Sequence, residues 1–257
     1  MKDFSDIKST LFAGQYEIDP SGEEGKNYSL FKKIETIEPF FVRRIPAWKR
    51  TLDIFGSFWG LIIFSPVFLV IAILIKIVSP GPVFFKQKRI GYGAKEFNFW
   101  KFRTMKVNVD PSCHQKHLCE LINEEDEDCE GSYKPMTKLD LKNPNIIPLG
   151  HFLRNSCLDE LPQLMNVLCG DMSLVGPRPP IPYEVEEYLI WHKGRFDGLP
   201  GMTGLWQVSG KNRLSFKEMI RLDIQYERQM SLLTDLKILF LTPFAILEEY
   251  FYNRQNT

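Results

Sequence analysis

The uncharged stretch from Ile54 to Ile75 constrains the fold of this chain more than any other feature of its sequence. It reads IFGSFWGLIIFSPVFLVIAILI. At about 1.5 Å of rise per residue, a helix of this length reaches across a hydrocarbon core of roughly 30 Å. Because water disfavours so large an apolar surface, the stretch predicts that the protein associates with a membrane.

Two features of this stretch bear on how it meets the bilayer. Ser65 and Pro66 lie at its middle, where a proline removes a backbone hydrogen bond and kinks a helix. Basic residues stand on both flanks, namely Arg43, Arg44, Lys49 and Arg50 before it and Lys76, Lys86, Lys88 and Arg89 after it. A spanning helix normally carries its basic bias on the cytoplasmic side only, so equal flanks fit a re-entrant hairpin bent at Ser65-Pro66. Spanning helices also tolerate proline, and the residues alone leave both topologies open.

The charges of the chain are unevenly distributed. The 32 basic and 32 acidic side chains balance, which argues against a nucleic-acid partner. Residues 41–103 nevertheless hold a balance of +9, against −3 for 1–40, −5 for 104–135 and −1 for 136–257. A basic block around an apolar stretch predicts contact with anionic membrane lipids.

Two polar segments carry no clear chemistry. Residues 1–46 are predicted to be a polar N-terminal extension, and no signal or transit peptide is visible in it. An acidic insert at 107–135 holds possible zinc donors, Cys113, His114, His117, Cys119 and Cys129. These lack the usual Cys-x2–4-Cys pair, so a solvated loop is the preferred interpretation. The odd total of five cysteines favours reduced thiols in a cytosolic compartment.

Secondary-structure signals follow the apolar stretch. Segments 83–90 and 96–103 are predicted to be two strands of a hairpin, joined by a Gly-Tyr-Gly turn. Helical spacing from Leu161 to Leu168 predicts a short helix, with Pro162 in its first turn and Asp159-Glu160 at its N-terminus. Acidic residues there stabilise a helix even without any further role.

Two further helices are predicted near the C-terminus, around 216–224 and from 232 to 250. Because the second contains Asp235, Lys237 and Pro243, we expect it at the membrane interface or in the core. The predicted fold class is therefore a helix-rich α+β, membrane-associated domain with an N-terminal re-entrant helical hairpin (47–82), a small β-hairpin and interfacial helices. The hairpin would precede a cytoplasmic-face domain at 83–257.

Several motifs stand in one order along the chain. They are Lys49-Arg50, Ser65-Pro66, KFRTM (101–105), LDELPQ (158–163), NVL (166–168), GDMSLVGPRP (170–179), PGMTGLWQVSG (200–210) and DLKIL (235–239). Together they closely resemble the bacterial sugar transferase family, the monotopic polyprenyl-phosphate phosphoglycosyl transferases. The resemblance covers about residues 48–250.

The resemblance implies an enzyme at the cytoplasmic face of the bacterial inner membrane. Such an enzyme moves a sugar 1-phosphate from a UDP-sugar to undecaprenyl phosphate and releases UMP. The step starts assembly of an exopolysaccharide, capsule, lipopolysaccharide O-antigen or glycoprotein glycan. Glucose and galactose are the leading donor sugars, and the sequence leaves open whether the protein forms a homo-oligomer.

The resemblance also implies the site residues. The family's catalytic Asp-Glu pair falls on Asp159 and Glu160, with Mg²⁺ as cofactor and a re-entrant hairpin over 54–75. We expect Asp159 to form the covalent phosphosugar intermediate, because an ionised carboxylate can attack phosphorus. Glu160 would hold the Mg²⁺, a cation that prefers oxygen ligands.

Four cations are candidates for binding the substrate phosphates: Arg154, Arg178, Lys101 and Arg103. Arg178 is fixed between two prolines and can present a preorganised fork to a phosphate. For each of the four, a structural ion pair is the alternative interpretation. Asn155 and Leu199 stand where relatives often have arginine, which leaves the phosphate contacts and the sugar open. A non-catalytic membrane scaffold for glycan-assembly enzymes is the alternative function.

Overall fold

The structure is a computed structural model that describes residues 43–107, 122 and 144–255, all within one compact unit, Val42–Thr257. The predicted 1–40 segment and most of the 107–135 insert, including its cysteine and histidine residues, lie outside the described residues. The helices are α1 (Ala47–Val78), α2 (Gly150–Asn155), α3 (Gln163–Cys169), α4 (Pro182–Glu186), α5 (Leu205–Val208), α6 (Phe216–Gln229) and α7 (Leu232–Gln255). The strands are β1 (Phe84–Ile90), β2 (Glu96–Phe102), β3 (Ser173–Val175) and β4 (Gly201–Thr203).

Helix α1 runs through Ser65 and Pro66 without interruption. Pro66 has no N–H for the carbonyl of Ile62, but the Ser65 hydroxyl donates a hydrogen bond to that oxygen at 2.8 Å. The serine therefore satisfies the group that the proline leaves unpaired. The predicted division of this segment into two separate helices is not observed.

One side of α1 packs against the rest of the unit along its whole length. Near the N-terminus Lys49, Asp53 and Ser57 are buried, and near the C-terminus Ile71 and Ile75 are buried. Between them a Cβ on Gly56 would meet the Leu174 side chain, and one on Gly60 would meet Leu164 at 3.2 Å. The other side is apolar and exposed, with Ile77 74% exposed. By length and composition, α1 could cross a membrane.

The predicted β-hairpin is confirmed to within one residue at its ends. Strands β1 and β2 pair antiparallel, with Phe84 opposite Phe102 and Ile90 opposite Glu96. Asn166 of α3 fixes β2 in place, because its side-chain oxygen accepts from the Trp100 N–H and its amide donates to the Asn98 carbonyl. Strands β3 and β4 form a second, parallel pair.

Residues 104–106 and 145–147, which flank the segment between 107 and 144, lie side by side. The Lys106 N–H donates to the Asn145 carbonyl at 2.8 Å, and the Ile147 N–H donates to the Thr104 carbonyl at 3.1 Å. Met105 and Ile146 form an antiparallel bridge. The two ends of the intervening segment are therefore joined side by side.

The two C-terminal helices close the unit. Helix α6 begins with a capping box in which the Ser215 hydroxyl accepts from the Glu218 N–H, and it buries Met219, Ile220 and Tyr226. Helix α7 buries Ile238 but exposes an apolar stripe of six side chains, Leu233, Leu236, Phe240, Phe244, Leu247 and Phe251. Helix α7 thus combines core packing on one side with an uncovered apolar face on the other.

A buried ion pair joins the start of α1 to α7. The Lys49 ammonium lies 2.7 Å from the Asp235 carboxylate and donates to the Tyr226 hydroxyl and the Val175 carbonyl. Tyr226 in turn donates to Asp235 at 2.6 Å. These contacts link four elements, α1, β3, α6 and α7, through one buried lysine.

Candidate active site

Asp159 and Glu160 lie in a single 3-10 turn, Leu158–Glu160, that connects α2 to α3. They were predicted at the N-terminus of the following helix with Pro162 in its first turn, but α3 begins only at Gln163 with Pro162 as its N-cap, so the pair lies in a separate turn before it. Cys157 turns the chain just before them in a left-handed conformation (φ 56°). This tight turn presents the two carboxylates next to strand β2.

Two cations converge on the acidic pair. The Lys101 ammonium lies 2.7 Å from Glu160 Oε1 and 3.8 Å from Asp159 Oδ2. The Arg178 guanidinium lies 3.5 Å from the same Glu160 Oε1. Lys101 comes from β2 and Arg178 from the loop after β3, so residues far apart in sequence meet here. The site is largely shielded from water, with Asp159 only 6% exposed.

The pKa values of Glu160 and Lys101 both lie below their ordinary values. Burial disfavours the charged form of Glu160, but Lys101 and Arg178 outweigh it and hold the pKa of this carboxyl well below its usual range. Burial lowers the pKa of Lys101, with Glu160 and Asp159 opposing that shift. Glu160 therefore stays ionised at neutral pH and suits a role as a fixed negative charge.

Arg103, a third predicted cation, lies away from the acidic pair. Arg103 is buried beneath the end of α1, where its guanidinium donates to the Pro80 and Ser79 carbonyls, both at 2.7 Å. These hydrogen bonds support a structural role for Arg103. Arg154 is half-buried in the last turn of α2, the helix that leads into the acidic turn.

Lys211 is a site residue that the sequence reasoning missed. Its ammonium lies 3.5 Å from the Cys157 sulfur, two residues before Asp159, and it forms an ion pair with Glu249. Burial lowers the pKa of Lys211, but Cys157 and Glu249 outweigh it, so the pKa is raised and the ammonium stays charged. The only signal in the sequence was its position directly after the PGMTGLWQVSG motif.

The donor set at the acidic pair fits magnesium. Among the described residues, no three His, Cys, Asp or Glu side chains cluster as a preformed metal site. Both cation contacts of Glu160 fall on Oε1, which leaves Oε2 for a metal. Mg²⁺ is commonly bound by one or two carboxylates together with water and substrate phosphates, so the pair is sufficient.

The fold and the site together define a helix-rich α+β protein whose buried acidic pair and converging cations suit a phosphorylated substrate. The chain belongs to the bacterial sugar transferase family, whose model matches residues 44–249. This confirms the family that the motifs predicted.

Relatives with assigned names match about three quarters of the chain. The chain is similar to the galactosyl transferase CpsE of Streptococcus agalactiae (40% identity), covering 77% of this chain and 42% of CpsE. It is similar to the exopolysaccharide production protein ExoY of Rhizobium meliloti (38%), covering 77% of this chain and 84% of ExoY. It is also similar to the UDP-glucose:undecaprenyl-phosphate glucose-1-phosphate transferase of Escherichia coli (36%), covering 76% of this chain and 39% of that enzyme. The match thus spans less than half of two of these relatives.

Proposed function

We propose that this protein transfers a sugar 1-phosphate from a UDP-sugar to undecaprenyl phosphate and releases UMP. The observation that carries the proposal is the buried Asp159-Glu160 pair under Lys101 and Arg178. Phosphoryl transfer depends mainly on positioning and charge neutralisation, which two fixed cations beside two carboxylates supply. The names of the E. coli and S. agalactiae relatives make UDP-glucose and UDP-galactose the leading donors.

In the first step, an Asp159 carboxylate oxygen attacks the β-phosphorus of the UDP-sugar. A new P–O bond forms to Asp159, and the bond between this phosphorus and the bridging oxygen breaks. UMP leaves with that electron pair, and the phosphosugar remains as an acyl phosphate on Asp159. Lys101 and Arg178 orient the diphosphate and offset the charge on the leaving phosphate.

In the second step, a phosphate oxygen of undecaprenyl phosphate attacks the same phosphorus. The bond to Asp159 breaks, which regenerates the carboxylate and releases the sugar diphosphate lipid. The two steps balance without a net proton transfer. Mg²⁺ held by Glu160 would neutralise charge on the donor diphosphate when it is bound.

The packing of α1 supports a re-entrant or interfacial topology rather than a spanning helix. Packing against the unit recurs from Lys49 to Ile75, and the longest interval between packed positions of α1 runs from Gly60 to Val67, about 10 Å of helix. A hydrocarbon core of roughly 30 Å does not fit into that interval. The helix would therefore lie against one leaflet, on the cytoplasmic face of the inner membrane, with the α7 stripe as a second lipid-facing surface.

Release of UMP by the purified full chain tests the proposal. We expect UMP from at least one of UDP-glucose, UDP-galactose and the UDP-N-acetylated sugars, in the presence of undecaprenyl phosphate and Mg²⁺. Asp159→Asn is expected to abolish it, because an amide is a poor nucleophile, and to leave no radiolabelled sugar phosphate on the protein.

Matched controls sharpen this experiment. Asp171→Asn changes an exposed carboxyl that accepts a hydrogen bond from the Asn166 amide at 3.3 Å, and this variant is expected to keep its activity. Full turnover by Asp159→Asn would exclude the covalent role of Asp159. If the wild-type chain released no UMP from any UDP-sugar, the scaffold function would be favoured instead.

A further inference from the structure

The loop that carries Arg178 is held in an unusual way. It consists of residues 177–180, Pro-Arg-Pro-Pro, and its three prolines have no N–H to donate. Such a loop can be anchored through its main chain almost entirely by its carbonyl oxygens. All four carbonyls, in chain order, accept hydrogen bonds from the Gly201 N–H, the Arg195 guanidinium, the Arg89 guanidinium and the Ile90 N–H, at 2.8, 2.7, 2.8 and 3.0 Å.

Arg195 ties this loop to helix α6. Its side chain is 1% exposed, and one terminal nitrogen donates both to the Arg178 carbonyl and to the Asp223 carboxylate, the latter at 2.6 Å. The other terminal nitrogen donates to the Tyr188 hydroxyl at 2.6 Å, and Tyr188 donates to Glu184. Both terminal nitrogens of the guanidinium are thus held, and their position fixes the Arg178 main chain.

Arg89 holds the next carbonyl from the opposite side. It is 7% exposed and donates to the Pro179 carbonyl and to the Gln87 amide oxygen, with its guanidinium 5.1 Å from the Phe99 ring. Among the described residues, no carboxylate lies within 4 Å of Arg89. A buried cation without an ion pair costs free energy to maintain, and here one of its hydrogen bonds holds the loop that carries Arg178.

We propose that Arg89 and Arg195 are positioning residues, which hold the Arg178 loop by its carbonyl oxygens and thereby aim the Arg178 guanidinium at Glu160. The proposal rests on the proposed function, in which Arg178 contacts the donor diphosphate. Neither residue reaches the acidic pair itself, so each acts through Arg178. Their effect should therefore vanish when the Arg178 side chain is absent.

Double-mutant cycles test this dependence. Arg195→Lys and Arg89→Lys keep the positive charge but cannot satisfy the same set of acceptors. In the presence of Arg178, we expect each to lower kcat/KM for UMP release by about tenfold to a hundredfold, the effect of a misplaced catalytic contact. In an Arg178→Ala background, each should lower kcat/KM by less than about twofold.

Arg50→Lys is the matched control for the cycle. Arg50 also donates to two main-chain carbonyls, those of Val167 and Leu168, but it caps α3 rather than the Arg178 loop. Any effect of Arg50→Lys should be the same factor with and without Arg178. Equal losses for Arg195→Lys and Arg89→Lys in both backgrounds would overturn the proposal and leave them a general structural role.

A second measurement separates this proposal from the proposed reaction. If the wild-type chain releases no UMP, or Arg178→Ala is too slow to assay, the side-chain Nε–H signal of Arg178 is followed by ¹⁵N NMR in the full chain. Arg195→Lys and Arg89→Lys should move or broaden this signal, whereas Arg50→Lys should leave it as in the wild type. An unchanged Arg178 signal in Arg195→Lys and Arg89→Lys would overturn the positioning role whatever the reaction.

Discussion

At the scale of single residues, the site is organised around one oxygen atom. Glu160 Oε1 receives both the Lys101 ammonium and the Arg178 guanidinium, while Asp159 Oδ2 lies 3.8 Å from the same lysine. The two neighbouring carboxylates therefore have different surroundings. Glu160 is in contact with two cations, and Asp159, the proposed nucleophile, lies 3.8 Å from one of them.

Removing Arg178 should shift the whole pH profile of activity upward. Arg178 lowers the pKa of Glu160 and also lowers the pKa of Lys101. In Arg178→Ala both pKa values rise. The acidic limb of the pH profile reports Glu160 and the alkaline limb reports Lys101. Both limbs therefore move to higher pH. At the optimum we expect a loss of about a hundredfold or more, typical of a deleted charge-stabilising group. The profile of kcat/KM for UMP release measures both effects.

Arg221→Ala provides the comparison for this profile. Arg221 is an exposed arginine on α6, and its removal changes the net charge by the same amount. Both limbs should stay where they are in the wild type. A shift of the two limbs in opposite directions in Arg178→Ala would contradict the assignment of Glu160 and Lys101 to them.

At the scale of elements, the buried Lys49 determines how α1 is attached. Lys49→Met should destabilise the fold by about 3–5 kcal/mol, because it leaves the Asp235 carboxylate buried without its cation. The double variant Lys49→Met/Asp235→Leu replaces the pair by apolar side chains and should be clearly more stable than Lys49→Met alone. Denaturant unfolding in detergent micelles measures both. If the double variant were the less stable of the two, the ion pair would not be the reason for the loss.

The local elements were predictable, and the contacts between distant elements were not. Alternating side chains predicted β1 and β2, and the Ser215 capping box is a local signal for the start of α6. Lys101, by contrast, lies in β2 and Arg103 directly follows that strand, and the two have the same charge. Only the segment directly after α1 separates them, because the Ser79 and Pro80 carbonyls bind Arg103, whereas Lys101 binds Glu160. Lys211 was missed for the same reason, since its contact with Cys157 spans 54 residues.

At the scale of the whole molecule, the packing of α1 predicts where the two ends of the helix lie. Arg44 precedes α1, Lys95 follows it, and both are exposed. Single cysteines at these two positions, in a chain whose native cysteines are replaced by serine, report on which side of the membrane each position lies. We expect an impermeant maleimide to label both in inverted membrane vesicles and neither in intact spheroplasts. Labelling of the two positions from opposite sides would establish a spanning helix. Both should react in detergent, which controls for their accessibility.

The bridge between Met105 and Ile146 has a consequence for how this family can diversify. Because the main chain is already closed there by hydrogen bonds at 2.8 and 3.1 Å, the ends that flank the segment between residues 107 and 144 are held together whatever its length. Each doubling of the chain between two joined ends costs only about 0.6 kcal/mol of closure entropy. Insertions and deletions can therefore accumulate between the strand that carries Lys101 and the turn that carries Asp159, while the distance between those two side chains stays constant.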